Sequence, residues 1–231
     1  MLEIYISYCL KNPISSIAVF ITLLPITLIL IKKAYIDPSF KLLLFYLIVK
    51  LIIDILMFQS AARHRNNIIL FNLGIPINYA MLSGMFYFKF SSRVFKRGLI
   101  ASMIGFLIFT LWDILNSNAE ISDLHNHRAV LFAKTVEGVL IITLILLFFY
   151  EIIKSLKIPN LLTFPFFWVC SGLLLYYSSF IFIAPVLHYT ATWNNLVDLG
   201  ITETIPTIFE IVCAMFISVG IYHFSARDYA K

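Results

Sequence analysis

Six charged residues stand inside long apolar runs of this 231-residue chain: Lys50, Asp54, Asp113, Lys134, Glu137 and Glu210. A charge at membrane depth costs roughly 2.5–3.5 kcal/mol on insertion scales, so each needs a partner or a purpose. Spacing supplies partners for some of them. Lys50 and Asp54 are four residues apart and Lys134 and Glu137 three, so each pair shares a helix face. Asp113 and Glu210 have no such neighbour and are expected to be left over, with Asp113 near enough to its helix end to snorkel outward. The chemistry on offer is that of carboxylates, which hold a cation or an ammonium group or carry a proton.

The elements that must position these groups follow from composition. The chain is 61% hydrophobic and 16% aromatic, with 13% charged residues and a mean hydropathy of +0.94. Soluble domains carry about 25% charged residues, so a soluble enzyme, a nucleic-acid-binding domain and a sizeable extramembrane domain are excluded. Continuous apolar runs occupy 14–31, 40–59, 67–88, 98–116, 129–153, 165–187 and 204–224. Each is long enough to cross about 30 Å of hydrocarbon at 1.5 Å per residue. None alternates with period two, which selects helices over barrel strands. The expected fold is all-α: a polytopic membrane protein forming one bundle of seven transmembrane helices across residues 1–231. Pro25, Pro76, Pro185 and Pro206 are expected to break helices locally and to free carbonyls near Asn78 and Glu210. The opening MLEIYISYCLKNP has no basic region ahead of its apolar residues and reads as a short interfacial lead-in.

Basic residues then orient the bundle. Of seventeen lysines and arginines, eleven fall on one side, among them Lys32, Lys33, Lys89, Arg93, Lys96 and Arg97. Four fall on the other: Lys11, Arg63, Arg65 and Arg128. The positive-inside rule puts the N-terminus out and the C-terminus in the cytoplasm. On that frame Asp54, Asp113, Lys134 and Glu210 lie about 5–9 Å below the outer end of their runs, Glu137 about 12 Å and Lys50 about 14 Å. Asn72, Asn78, Ser178 and Ser179 fall at similar depths, while the inner halves are almost wholly apolar.

Two readings fit this polar slab. It is either a buried network holding helices together or an outward-facing, acid-rich pocket for a small ligand, cation or proton. The surplus of carboxylates over lysines favours the pocket, lined by Asp54, Asn72, Asn78, Lys134, Glu137 and Glu210. No cofactor is expected, and the seventh run has no lysine for a retinal Schiff base. His125 and His127, beside Glu120 and Asp123, offer a divalent-metal pattern, although a solvated loop explains them as well. Ser178, Ser179 and His188 are the sole hint of nucleophilic catalysis. Cys9, Cys170 and Cys213 show no CxxC spacing, so neither disulfides nor zinc are indicated. Phe86, Tyr87, Phe88 and Phe90, then Phe148, Phe149 and Tyr150, then Phe164, Phe166, Phe167 and Trp168, read as an aromatic belt at the cytoplasmic interface.

The third run, with Tyr79 and a closing Phe86-Tyr87, is followed by a Glu137-led fifth run that closes on Phe149-Tyr150. The sixth run then starts Pro165-x-Phe167-Trp168. Together these resemble a family of small, uncharacterised seven-helix bacterial inner-membrane proteins, whose third helix often carries a glutamate where this chain has Asn78. Similar modules serve as membrane inputs to bacterial signalling. The expected function is thus a receptor-like or sensory protein of the inner membrane, with the lipid bilayer as its environment. It would relay occupancy of the pocket to a separate cytoplasmic partner. A proton-linked carrier using the same carboxylates, or an intramembrane lipid-modifying enzyme using His188, are the alternatives.

Overall fold

The computed structural model describes residues 2–118, 127–155, 160–190 and 199–225. Among these residues there is no strand, and the helices run α1 (Leu2–Lys11), α2 (Pro13–Ile21), α3 (Leu23–Ile31), α4 (Pro38–Ala62), α5 (Ile68–Lys89), α6 (Arg93–Ser117), α7 (Leu131–Ser155), α8 (Pro165–Thr190) and α9 (Leu199–Tyr222). Among the described residues, seven stretches are long and apolar enough to cross a membrane, with α2 and α3 counting together as Pro13–Ile31.

Local chemistry sets the boundaries. Pro13, Pro38 and Pro165 each open a helix, where the missing N–H is not needed. Asp37 caps α4 by accepting the Ser39 N–H at 2.8 Å. His64, in the left-handed region at φ 53°, closes the other end, as the Arg65 N–H reaches back to the Ser60 carbonyl at 2.9 Å. The helix between residues 13 and 31 is interrupted at Thr22, because the ring of Pro25 clashes with the Ile21 carbonyl four residues earlier. The expected break is confined to that site, since Pro76, Pro185 and Pro206 lie inside continuous helices. The lead-in is itself helical, as α1.

The most extensive packing joins α8 to α9, α4 to α5 and α7 to α8, while α2 and α3 rest on α9, and α6 contacts α5 and α7. Glycine makes the α8–α9 approach possible. A Cβ on Gly220 would lie 2.5 Å from the Pro165 carbonyl oxygen, and one on Gly172 would lie 3.0 Å from that of Cys213. By contrast, α4 and α9 share no extended backbone contact.

The aromatic belt needs correction. Phe88 and Tyr150 do face outward, but Phe86, Phe90, Phe148 and Phe166 are buried. They form an interlocked core, with Phe148–Phe166 ring centres at 5.0 Å and Phe86–Phe166 at 5.6 Å. In lipid, where apolar burial between helices gains little from exclusion of water, these rings join the helix ends by close packing.

Candidate functional site

Lys50 occupies the midpoint of α4 and Glu210 the middle of α9. The Lys50 ammonium donates to Asp54 Oδ2, one turn along α4, at 2.5 Å, and to Glu210 Oε1 across the gap between the two helices. Glu210 is therefore not left over, as its isolation in the sequence implied. One lysine serves two carboxylates, a local balance of −1. The side chains of Lys50, Asp54 and Glu210 keep 15%, 20% and 24% of their surface exposed, so the cluster is sheltered but not sealed.

That residual exposure faces a cavity of about 290 Å³. Its polar wall carries Lys50, Asp54, Glu210, Asn78, Lys134 and Tyr46, and its apolar wall includes Ile53, Met57, Phe71 and Phe180. Asn78 Oδ1 is buried without a hydrogen-bond partner among the described residues. A second cavity, of about 190 Å³, touches the same two carboxylates between α1, α2, α4 and α9, with Tyr8, Ser15, Asn67 and Thr207 around it.

The other predicted pair is built differently. Lys134 donates to Glu137 Oε2 at 2.8 Å, and the Tyr177 hydroxyl donates to Glu137 Oε1 at 2.7 Å. Glu137 is fully buried and does not reach the cavity wall, whereas Lys134 does. The Lys134 ammonium lies 5.7, 5.2 and 5.5 Å from the ring centres of Tyr176, Tyr177 and Phe180, close enough for cation–π attraction.

Of the six residues expected to line the pocket, the cavity thus collects Asp54, Asn78, Lys134 and Glu210, while Glu137 stands behind Lys134. Asn72 is elsewhere. It accepts the Val130 N–H at 3.1 Å and donates to the Arg128 carbonyl at 2.9 Å, tying α5 to the segment before α7. Asp113 does not snorkel: it is 3% exposed and accepts the Ala133 N–H at 2.8 Å, satisfying the first turn of α7 from a neighbouring helix. His127 is buried against Asn118 Oδ1 at 3.0 Å. His125 and the side chain of His188 lie outside the described residues. Ser179 donates to the Tyr176 carbonyl at 2.7 Å. Among the described residues no group of three His, Cys, Asp or Glu could hold a metal ion.

Several wall residues were missed from sequence. Tyr46 and Thr207 lie one turn before Lys50 and Glu210 on the same helix faces, so helical periodicity around each charge finds them. A half-buried lysine pair was also missed. Lys89 pairs with Asp37 at 2.5 Å between the rings of Phe40 and Phe166, and the Asp-Pro start of α4 was its signal. No family model, no curated protein and no solved structure matches the chain, so function rests on this geometry.

Proposed function

We propose that this is a receptor-like protein of the inner membrane that holds a small polar ligand or cation beside Lys50, Asp54 and Glu210 and signals occupancy to a separate cytoplasmic partner. One observation carries this reading. A single ammonium is divided between two carboxylates on a cavity wall, which leaves net negative charge and unused carboxylate oxygens for a guest. The positive-inside bias supports an orientation with Lys32, Lys33 and Arg93 in the cytoplasm and the cavity within reach of the outer side.

The relay follows from the α4–α9 gap. The Lys50–Glu210 pair spans it at mid-helix, and Phe40 meets Phe224 near the other end at 5.3 Å, where Trp168 stacks on His223. A guest that competes for Glu210 weakens the mid-helix bridge and shifts the population between α4–α9 spacings. A carrier reading draws on the second cavity across the same carboxylates. Against it, the interior between Asn78 and Lys89 is filled by the fully buried Leu82, Met85 and Phe86 on α5 and Leu43 on α4.

The test uses Trp168 as reporter in a full-length Trp112→Phe, Trp193→Phe variant in nanodiscs. It is titrated with the twenty common amino acids, alkylamines, and alkali and alkaline-earth chlorides. A saturable emission change that Glu210→Gln abolishes is expected. Silence with every probe, or a change that survives Glu210→Gln, removes the proposal.

A further inference from the structure

The hydrogen-bonding capacity left over on the cavity wall identifies the class of guest, provided that the ligand-holding role proposed above is right. An ammonium has three donors. Lys50 commits two of them, to Asp54 and Glu210, whereas Lys134 commits one, to Glu137. Lys134, which lines the cavity, therefore keeps two N–H groups without an acceptor among the described residues, its ammonium surrounded by three rings. Across the same cavity, Asp54 and Glu210 each spend one oxygen on Lys50 and keep the other. Tyr46, 5% exposed, lines the cavity with a hydroxyl that forms no hydrogen bond among the described residues. Asn78 Oδ1 adds a further unpartnered acceptor.

A guest of one charge uses half of this wall. A simple cation satisfies the carboxylates and leaves the Lys134 donors idle, while a simple anion does the reverse and meets the surplus negative charge. We infer that the cavity takes a small zwitterion of the α-amino-acid kind. Its ammonium is held by Asp54 Oδ1 and Glu210 Oε2, and its carboxylate by the free donors of Lys134. Lys134 would then be shared by two carboxylates, Glu137 and the guest's, as Lys50 is already shared by Asp54 and Glu210. The volume of about 290 Å³ accommodates an amino acid, and the wall of Ile53, Met57, Phe71 and Phe180 receives an uncharged side chain. Amino acids with charged side chains are disfavoured, because among the described residues no further charged residue lines the cavity.

The experiment is calorimetric titration of the full-length chain in nanodiscs with each of the twenty common amino acids. Any binder is then compared with its two fragments, which for L-leucine are 3-methylbutylamine and 4-methylpentanoate. The expected result is saturable binding of at least one uncharged amino acid, with each fragment weaker by about 10–100-fold, the effect of losing one charged hydrogen-bonded contact. Lys134→Met alone strands Glu137, so the informative variant is Lys134→Met with Glu137→Gln, which keeps an acceptor for Tyr177. Unliganded melting verifies that it folds. In it, the amino acid should bind no tighter than its amine fragment. An amine that matches its parent amino acid in the unaltered chain overturns the zwitterion while leaving a cation-binding cavity intact. An absence of binding by amino acids, amines and metal chlorides alike overturns both the zwitterion and the proposed ligand-holding function.

Discussion

At Lys134 the ammonium, the Glu137 carboxylate and the Tyr177 hydroxyl close on one another, and both carboxylate oxygens are occupied. At Lys50 the same residue types meet under opposite conditions: two carboxylates that line a cavity compete for one ammonium, and each keeps one oxygen uncommitted. Both began as a lysine and an acid one helical turn apart. The difference lies in what the third partner brings. Tyr177 donates to the carboxylate and completes it, whereas Glu210 accepts from the lysine and leaves the cluster with a surplus. A buried pair that is complete acts as structure, since breaking it exposes a bare charge to low dielectric. An incomplete one beside open space is free to take a guest.

Substitution should break this contrast most strongly at the closed cluster. Glu137→Leu strands Lys134 and is expected to destabilise the chain by about 3–5 kcal/mol, measured by denaturant unfolding in micelles. Adding Lys134→Met should restore most of that loss, and a single-variant loss below about 1 kcal/mol would show that the cluster is not closed. Asp37→Ala comes next, at about 2 kcal/mol, since it removes the α4 cap and the carboxylate partner of Lys89 together. Circular dichroism melting of that variant checks it. Glu210→Gln should cost less than about 1 kcal/mol, because the site is partly exposed and Lys50 keeps Asp54, yet it should abolish the Trp168 response. A loss as large as that of Glu137→Leu would place Glu210 among structural groups. The smallest effect belongs to Asn78→Leu, expected within about 0.5 kcal/mol of the unaltered protein. Its buried Oδ1 makes no hydrogen bond among the described residues, and a melt shifted well downward would reveal a partner beyond them.

Much of this was legible along the chain. The seven candidate spans fall close to the apolar runs, and both in-helix lysine–acid pairs form at the spacing that suggested them. The failures share a cause. For Asn72, Asp113 and Glu210 the sequence gives a depth along the helix, and depth omits azimuth. Asn72 and Asp113 satisfy backbone groups at the start of α7, a need invisible without knowing which helix end lies beside them. Phe86, Phe148 and Phe166 were read as interfacial from their position near span ends, when their rings in fact point inward and fill the core.

The sequence by itself determined the helices, the long apolar stretches and the pairs one turn apart. Each depends on interactions within a few residues, namely i to i−4 hydrogen bonding, side-chain hydrophobicity and same-face spacing. Tertiary structure alone decided that Glu210 shares Lys50 with Asp54, that Tyr177 completes Glu137, and that one cavity is lined by all of the first cluster but only by Lys134 and Tyr177 of the second, with Glu137 behind them. Those outcomes depend on how far each helix is rotated about its axis and how closely it approaches its neighbours. Glycine contacts such as Gly220 against Pro165 set the approach of α8 and α9, and no local pattern encodes which helices those contacts join.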